Sequence, residues 1–293
     1  MDYTGRIIRP QREARSLLLQ LTVGCSQEEG ELDRHRDFTL KPWAQFEREL
    51  GDAAKLGPAF TKAFLCDGDA MVLSQSRLEQ TLTAIRKRLP WITKVGMYGD
   101  AHSVGAKSAD ELERLHHLGL GIVYHEVETG DETTMRRVNR PTTYADCVGI
   151  ADKLRDADIV HSVTVMLGVG GRERSEIHAR ETARLLTEMD PTYLATLTTT
   201  IFPNTPLARA EAEGRFVMPG KFELLEELYT IIDESELSKC LFSAQHPSNH
   251  LPLEAQLPED REALLRILTD FIDINDATTL RPDWLRTPAS GSA

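Results

Sequence analysis

Two spacings of apolar residues alternate along this chain. Residues 16–23 hold a near-continuous apolar run, Leu17, Leu18, Leu19, Leu21 and Val23, stopped by Gly24. A strand of a parallel sheet covered on both faces has this pattern. Similar runs at 62–65, 92–98, 122–128, 159–167 and 193–202 predict five more strands. Between them the period lengthens to that of a helix. Trp43, Phe46, Leu50 and Ala54 mark a helix over 42–56 with Pro42 near its start. Further helices are predicted over 76–89, 108–118, a short stretch through 138, 142–155 and 175–189. Ser108 and Glu111 have the spacing of a capping box for the third of these. Six strands alternating with helices predict a parallel α/β sheet, barrel-like or doubly wound, with ligands at the carboxyl ends of the strands. Beyond Pro203 the pattern becomes helical, at 205–213, 221–236 and 259–274, interrupted by FSAQHPSNHLPLEAQLP.

The chemistry-bearing residues sit where these strands end. Cys66-Asp67-Gly68-Asp69 follows the second strand, Glu126 and Glu128 lie at i and i+2 near the end of the fourth, and Gly168, Gly170 and Gly171 close the fifth. Residues at i and i+2 of a strand share a face, which predicts two carboxylates on one side and His125 packed on the other. An inward Glu126 is costly unless paired, protonated or bound to a ligand.

The run EARSLLLQLTVGCS, followed by FLCDGDA, VYHEVETGDETTMRRVN, SVTVMLGVGG and FPNTPL, resembles radical S-adenosylmethionine (SAM) enzymes of the elongator/coproporphyrinogen-oxidase-like type over about residues 9–260. The resemblance implies a partial (β/α)6 TIM-type barrel over 16–203. The polar lead-in 1–15, with Pro10, reads as an arm packed outside it, the helical pattern beyond Pro203 as a C-terminal extension (204–280), and the low-complexity end as a disordered tail (281–293). It also implies a SAM site. Asp67, Gly68 and Asp69 would receive the ammonium group and Glu128 the ribose hydroxyls, with Arg137 on the SAM carboxylate; Arg136 and Arg140 stay open for that role. Ser162 and Thr164 would contact methionine and ribose, Gly168 the adenosine, and Ile201 and Phe202 the adenine. His246, Asn249 and His250 match an element that lines the substrate side. Glu126 stands where the family has glycine, and Glu126 or Glu128 is the expected base.

The loop after the first strand departs from the resemblance. Family members carry three cysteines there, spaced about as GCSxxxCxxC, to hold a [4Fe-4S] cluster. Only Cys25 is present, and Gly30 and Asp33 fall near the other two positions. No cluster is therefore expected, and SAM is expected as a substrate for polar chemistry. The acidic run Glu28, Glu29, Glu31, Asp33 with His35 has three readings: carboxylates facing a sulfonium, oxygen ligands for a divalent metal, or a solvated charged stretch. No metal site is assigned.

Composition narrows the partners. A net charge of −12 over 293 residues argues against non-specific nucleic-acid binding and for a small-molecule substrate. The four cysteines, Cys25, Cys66, Cys147 and Cys240, have neither disulfide-framework nor zinc spacing. A lone thiol at Cys25 or Cys66 is read as inert unless its pKa is depressed. No run approaches a membrane span, and residues 1–16 lack the apolar core of a signal peptide, so a cytoplasmic protein is expected. The rival to an enzyme is a catalytically silent homologue that binds a small molecule or a partner.

Overall fold

The computed structural model describes residues 2–5, 7–24, 38–138 and 142–282. In chain order the elements are β1 (Leu17–Gln20), β2 (Thr22–Val23), β3 (Thr39–Leu40), α1 (Trp43–Lys55), β4 (Lys62–Cys66), α2 (Gln75–Arg88), β5 (Lys94–Tyr98), α3 (Ala101–Gly105), α4 (Ala109–His117) and β6 (Leu120–Glu128). They continue with α5 (Glu132–Arg137), α6 (Tyr144–Asp156), β7 (Val160–Leu167), α7 (Ser175–Met189), β8 (Tyr193–Thr198), α8 (Pro206–Ala212), α9 (Lys221–Glu234), β9 (Cys240–Ser243), β10 (Glu254–Leu257) and α10 (Arg261–Ile274). The fold is mixed α/β, built on an eight-stranded, mostly parallel sheet in the order β1-β4-β5-β6-β7-β8-β9-β10. The chain divides into two compact units, with strands β6 and β7 and helix α6 each contributing residues to both.

The first unit comprises the described residues of 1–28, 35–125 and 149–162. Strands β1, β4, β5 and β6 pair in parallel, with Leu19 opposite Leu65 and Leu65 opposite Met97. Leu17, Leu19, Ala63, Leu65, Val95, Met97 and Val123 cluster with Phe46 and Leu50 of α1, Leu78, Leu82 and Ile85 of α2, and Leu112 and Leu115 of α4. The alternate residues Leu18, Phe64, Cys66, Tyr98, Ile122 and Tyr124 form a second cluster. Phe64 packs edge-on against Tyr98 and Tyr124, with centroids 5.3 and 5.5 Å apart. Burial on both faces explains why these strands read as continuous apolar runs.

Ile7 of the N-terminal arm packs into that second cluster. The expectation of an arm lying outside the domain is corrected here. Thr4 exchanges two hydrogen bonds with the buried Gln20 amide, its N–H donating to Oε1 at 2.8 Å and its carbonyl accepting from Nε2 at 3.0 Å. Tyr3 donates to the Leu18 carbonyl at 3.0 Å. The Asp2 carbonyl accepts from Lys41 Nζ at 2.8 Å, and Lys41 is itself buried against Glu49 at 2.7 Å. Glu13 accepts from the hydroxyls of Tyr124 and Ser16.

The second unit comprises the described residues of 29–34, 126–148 and 163–293. Helix α7 packs along α9 and α9 along α10. Their buried faces carry Leu185, Leu186 and Met189, then Leu224, Leu228, Ile231 and Ile232, then Leu264 and Leu268. Strand β8 pairs in parallel with β9, and β9 antiparallel with β10. The extension read as helical therefore supplies two strands as well. Sequence periodicity missed them because each has four residues, and Glu254-Ala-Gln-Leu257 favours a helix in isolation; pairing with β9 overrides that preference. The sixth predicted strand ends at Thr198, four residues before Phe202.

Candidate functional site

In the first unit, the segments after β2 and β4 clasp each other. Asp67 is buried in a left-handed backbone conformation (φ 85°) that aspartate tolerates better than most residues. Its carboxylate accepts from Gly24 N at 3.2 Å and Gln20 Nε2 at 3.3 Å, while its own N–H donates to the Ile8 carbonyl at 3.2 Å. A Cβ on Gly68 would fall 2.2 Å from the Gly24 carbonyl oxygen. The missing side chain thus admits the chain's own backbone. Asp69 accepts from Met71 N at 2.7 Å and Asp100 N at 3.2 Å. Burial, reinforced by the Asp100 charge, pushes its carboxyl up to about 6. Ser162, near the start of β7, is buried.

In the second unit, β6 does not carry its two carboxylates alike. Glu126 is exposed, so the burial cost assigned to an inward carboxylate does not arise. Glu128 is buried and adopts φ 68° at the last residue of the strand, a conformation that costs a non-glycine residue about 1–3 kcal/mol. The left-handed residue breaks the alternation, which is why the two glutamates differ in exposure. In the first unit, His125 is packed, as expected from its face, and its ring stacks on His161 with centroids 5.6 Å apart.

The turn that follows Glu128 is strongly held. Asp131 caps α5 through Thr133 N and Thr134 N and accepts both Arg174 Nε at 2.7 Å and Arg174 Nη2 at 2.9 Å. Burial would raise its carboxyl, but Arg174 and the two threonines outweigh this and hold it down at about 2. Gly130 N donates to Thr182 Oγ1 at 2.9 Å, and Thr129 Oγ1 lies 2.7 Å from His178 Nδ1. A Cβ on Gly130 would fall 2.2 Å from the Glu181 carbonyl oxygen, so only glycine lets the turn lie against α7. The sequence pattern gives Thr129 and Asp131 no role beyond leading into the short helix, and gives none to Arg174 or His178, whose partners are remote in the chain. Asp131 after a strand and before Glu132 is a helix-capping signal.

Arg137 is engaged within the unit, donating to the Gly170 carbonyl at 3.3 Å and to Glu173 Oε1 at 2.6 Å. It therefore braces the glycine turn after β7 as it stands. Arg136 is exposed and 3.8 Å from Glu132, while Arg140 lies outside the described residues. Thr164 is half-buried on β7, and Gly168 closes that strand with φ 79°. Phe202 is half-buried in the loop before α8, where its carbonyl accepts from Thr205 Oγ1 at 2.7 Å. Asn249 is buried, donates to the Thr196 and Ala244 carbonyls at 2.6 and 3.0 Å and accepts from Thr198 Oγ1 at 3.0 Å. His246 is bonded to Ser248 at 2.8 Å and His250 Nδ1 lies 3.0 Å from the Arg281 carbonyl.

A [4Fe-4S] cluster needs thiolates close together. Cys66, Cys147 and Cys240 lie on β4, α6 and β9, and burial pushes each thiol up to about 12, so these three are not a thiolate set. Cys25 and the acidic residues Glu28, Glu29, Glu31, Asp33 and His35 lie outside the described residues. Among the described residues there is no His/Cys/Asp/Glu group of metal-binding geometry, and no helix long and apolar enough to cross a membrane.

The sequence matches no protein-family model and no curated protein. The fold, however, is similar to those of solved radical SAM enzymes. It is similar to methylornithine synthase, PylB (TM-score 0.55, 14% identity, 86% of this chain). It is also similar to the radical SAM methyltransferase TsrM from Kitasatospora setae, with tryptophan and a SAM analogue bound (0.56, 14%, 69%). A third similar structure is coproporphyrinogen III oxidase, HemN, from Escherichia coli, a radical SAM enzyme (0.54, 13%, 76%). The chain spans 68%, 40% and 55% of the lengths of these three proteins.

Proposed function

We propose that the chain binds SAM at the carboxyl ends of β6, β7 and β8 and is an enzyme of polar, cluster-free chemistry at the sulfonium. The observation that carries this reading is Glu128, a buried carboxylate held in a costly left-handed conformation at the end of β6. Such strain persists where the surrounding structure over-determines it, and it concentrates at ligand sites. In this fold class the strand carboxyl ends are where ligands bind. Bound SAM supplies an electrophilic sulfonium with a thioether leaving group. The chain's share is recognition and proton transfer. Glu128 accepts from ribose hydroxyls, the turn from Gly168 approaches the nucleoside, and the exposed Glu126 is the base, either for cyclisation or elimination within the aminocarboxypropyl arm or for alkyl transfer to a small molecule.

A second reading is favoured by a specific observation. Asp67 and Arg137, which the resemblance assigns to the amino-acid end of SAM, both spend their side chains on this chain's own groups. A silent homologue that binds a small molecule would tolerate that. Incubation of the full chain with SAM, following methylthioadenosine and S-adenosylhomocysteine, separates the two. Either product, lost in Glu126→Gln, supports the enzyme. Saturable binding with neither product, in the presence and absence of cell extract, supports the silent binder.

A further inference from the structure

The turn that closes β7 is held by a residue far along the chain. Gly168 N donates to Glu227 Oε2 of α9 at 2.6 Å, and the other carboxylate oxygen accepts from Ser175 Oγ, the first residue of α7, at 2.7 Å. A Cβ on Gly168 would fall 2.6 Å from Met218 Cε and 2.9 Å from Leu224 Cδ2, so α9 and the residues before it press on the turn. The turn continues with Gly171 N donating to the Gly168 carbonyl at 3.1 Å, and Arg137 bonded to Gly170. Glu227 is 2% exposed and stands in the row of buried residues that includes Leu224, Leu228 and Ile231.

Among the described residues, the charged and titratable groups around Glu227 give it no cationic partner. His178 of α7 faces it, with Nε2 at 3.9 Å from Oε2, but burial pushes that ring down to about 4 and keeps it neutral. Glu223, one turn earlier on α9, is bonded to Arg172 and to Gly220 N. Asp131 and Arg174 are paired with each other. Burial, opposed by the Ser175 and Gly168 hydrogen bonds, pushes the Glu227 carboxyl up to about 7.

We propose that Glu227 is a positioning residue whose ionised carboxylate locks the turn from Gly168 to Gly171 in the shape offered to the nucleoside of the ligand. This rests on the SAM reading above and deepens it, because it makes affinity at that site depend on a group from the C-terminal extension. Ionised, the carboxylate accepts from both donors. Protonated on Oε1, it donates to Ser175 Oγ instead of accepting from it, and Gly168 N is left with a neutral carbonyl oxygen, a weaker acceptor than a carboxylate, so the turn loosens. The raised pKa means that the proton is taken up as pH falls through about 7, so affinity falls in the same window.

Two readouts test this on the full chain. Without ligand, the protection factor of the Gly168 amide, corrected for intrinsic exchange, should be higher near pH 8 than near pH 6, and this difference should vanish in Glu227→Gln. With SAM, calorimetry should show affinity weakening by about tenfold between the same two pH values, with Glu227→Gln weak and flat across them. Ser175→Ala, which removes one donor and leaves the carboxylate, should move the midpoint upward and serves if Glu227→Gln does not fold. Equal Gly168 protection at both pH values, or a pH slope retained in Glu227→Gln, overturns the inference while leaving SAM binding intact. Absence of SAM binding at either pH overturns the SAM reading instead.

Discussion

Asp131 offers the sharpest test of how the β6–α5 turn is built. Five donors meet its carboxylate: Thr133 N at 3.1 Å, Thr134 N at 3.3 Å, Thr134 Oγ1 at 2.6 Å and the two Arg174 nitrogens at 2.7 and 2.9 Å. Asp131→Ala removes a helix N-cap, worth about 1 kcal/mol, and strands the half-buried Arg174 guanidinium, worth about 2–3 kcal/mol. The two losses share the same atoms and do not add, so about 2–3 kcal/mol is expected. Asp131→Asn keeps a capping oxygen and loses the charge, for roughly half of that. The pH dependence has a definite sign. A folded pKa of about 2 against an ordinary 3.8 means the Asp131 contribution is present in full above about pH 4 and is lost as pH falls toward 2. Urea denaturation followed by circular dichroism near pH 7, 4 and 2.5 measures both effects. Asp131→Ala within about 1 kcal/mol of wild type, or an Asn variant whose stability falls as steeply as wild type between about pH 4 and 2, would show that Asp131 does not hold the turn.

Two further outcomes follow from the first unit. Lys41 and Glu49 are both buried, so Lys41→Met should cost about 3–5 kcal/mol in denaturant melts. Lys41→Met with Glu49→Leu should recover most of that loss, since no charge is then left unpaired. Removing residues 2–8 should expose the cluster of Phe64, Cys66 and Tyr124, and thiol labelling mapped by mass spectrometry should then accelerate at Cys66 but not at Cys147 or Cys240. Unchanged labelling of Cys66 would mean the arm does not cover that face.

Much of the fold was legible because burial on two faces leaves a plain signature in the sequence. Leu17 to Leu19 alternate between a helix-facing cluster and the Phe64–Tyr124 cluster, and both demand apolar side chains. The capping box of Ser108 and Glu111 was equally readable, since it is a local pattern of side-chain and backbone groups. Helix α3 was not foreseen, because its own capping box, Asp100 with Ser103, opens only five residues with no apolar period. Candidate site residues were harder. Spacing located Glu126 and Glu128 correctly at the end of β6, yet the left-handed backbone at Glu128 reverses the exposure that alternation implies. Asp67, Gly68 and Arg137 sit at the expected strand ends, but their partners are remote in sequence, at Gly24, Gln20, Gly170 and Glu173. A contact between distant residues leaves no local pattern, and for the same reason Glu227 was invisible until its hydrogen bond to Gly168 was seen.

The proposed recognition of the SAM nucleoside by Glu128 at the end of β6 is open to calorimetric titration of the full chain with SAM, beside the same titration of Glu128→Gln. Saturable one-to-one binding by wild type, weakened about tenfold or more by loss of one charged hydrogen-bond acceptor, is the predicted result. No binding by the wild type, or equal affinity in the two proteins, would contradict it.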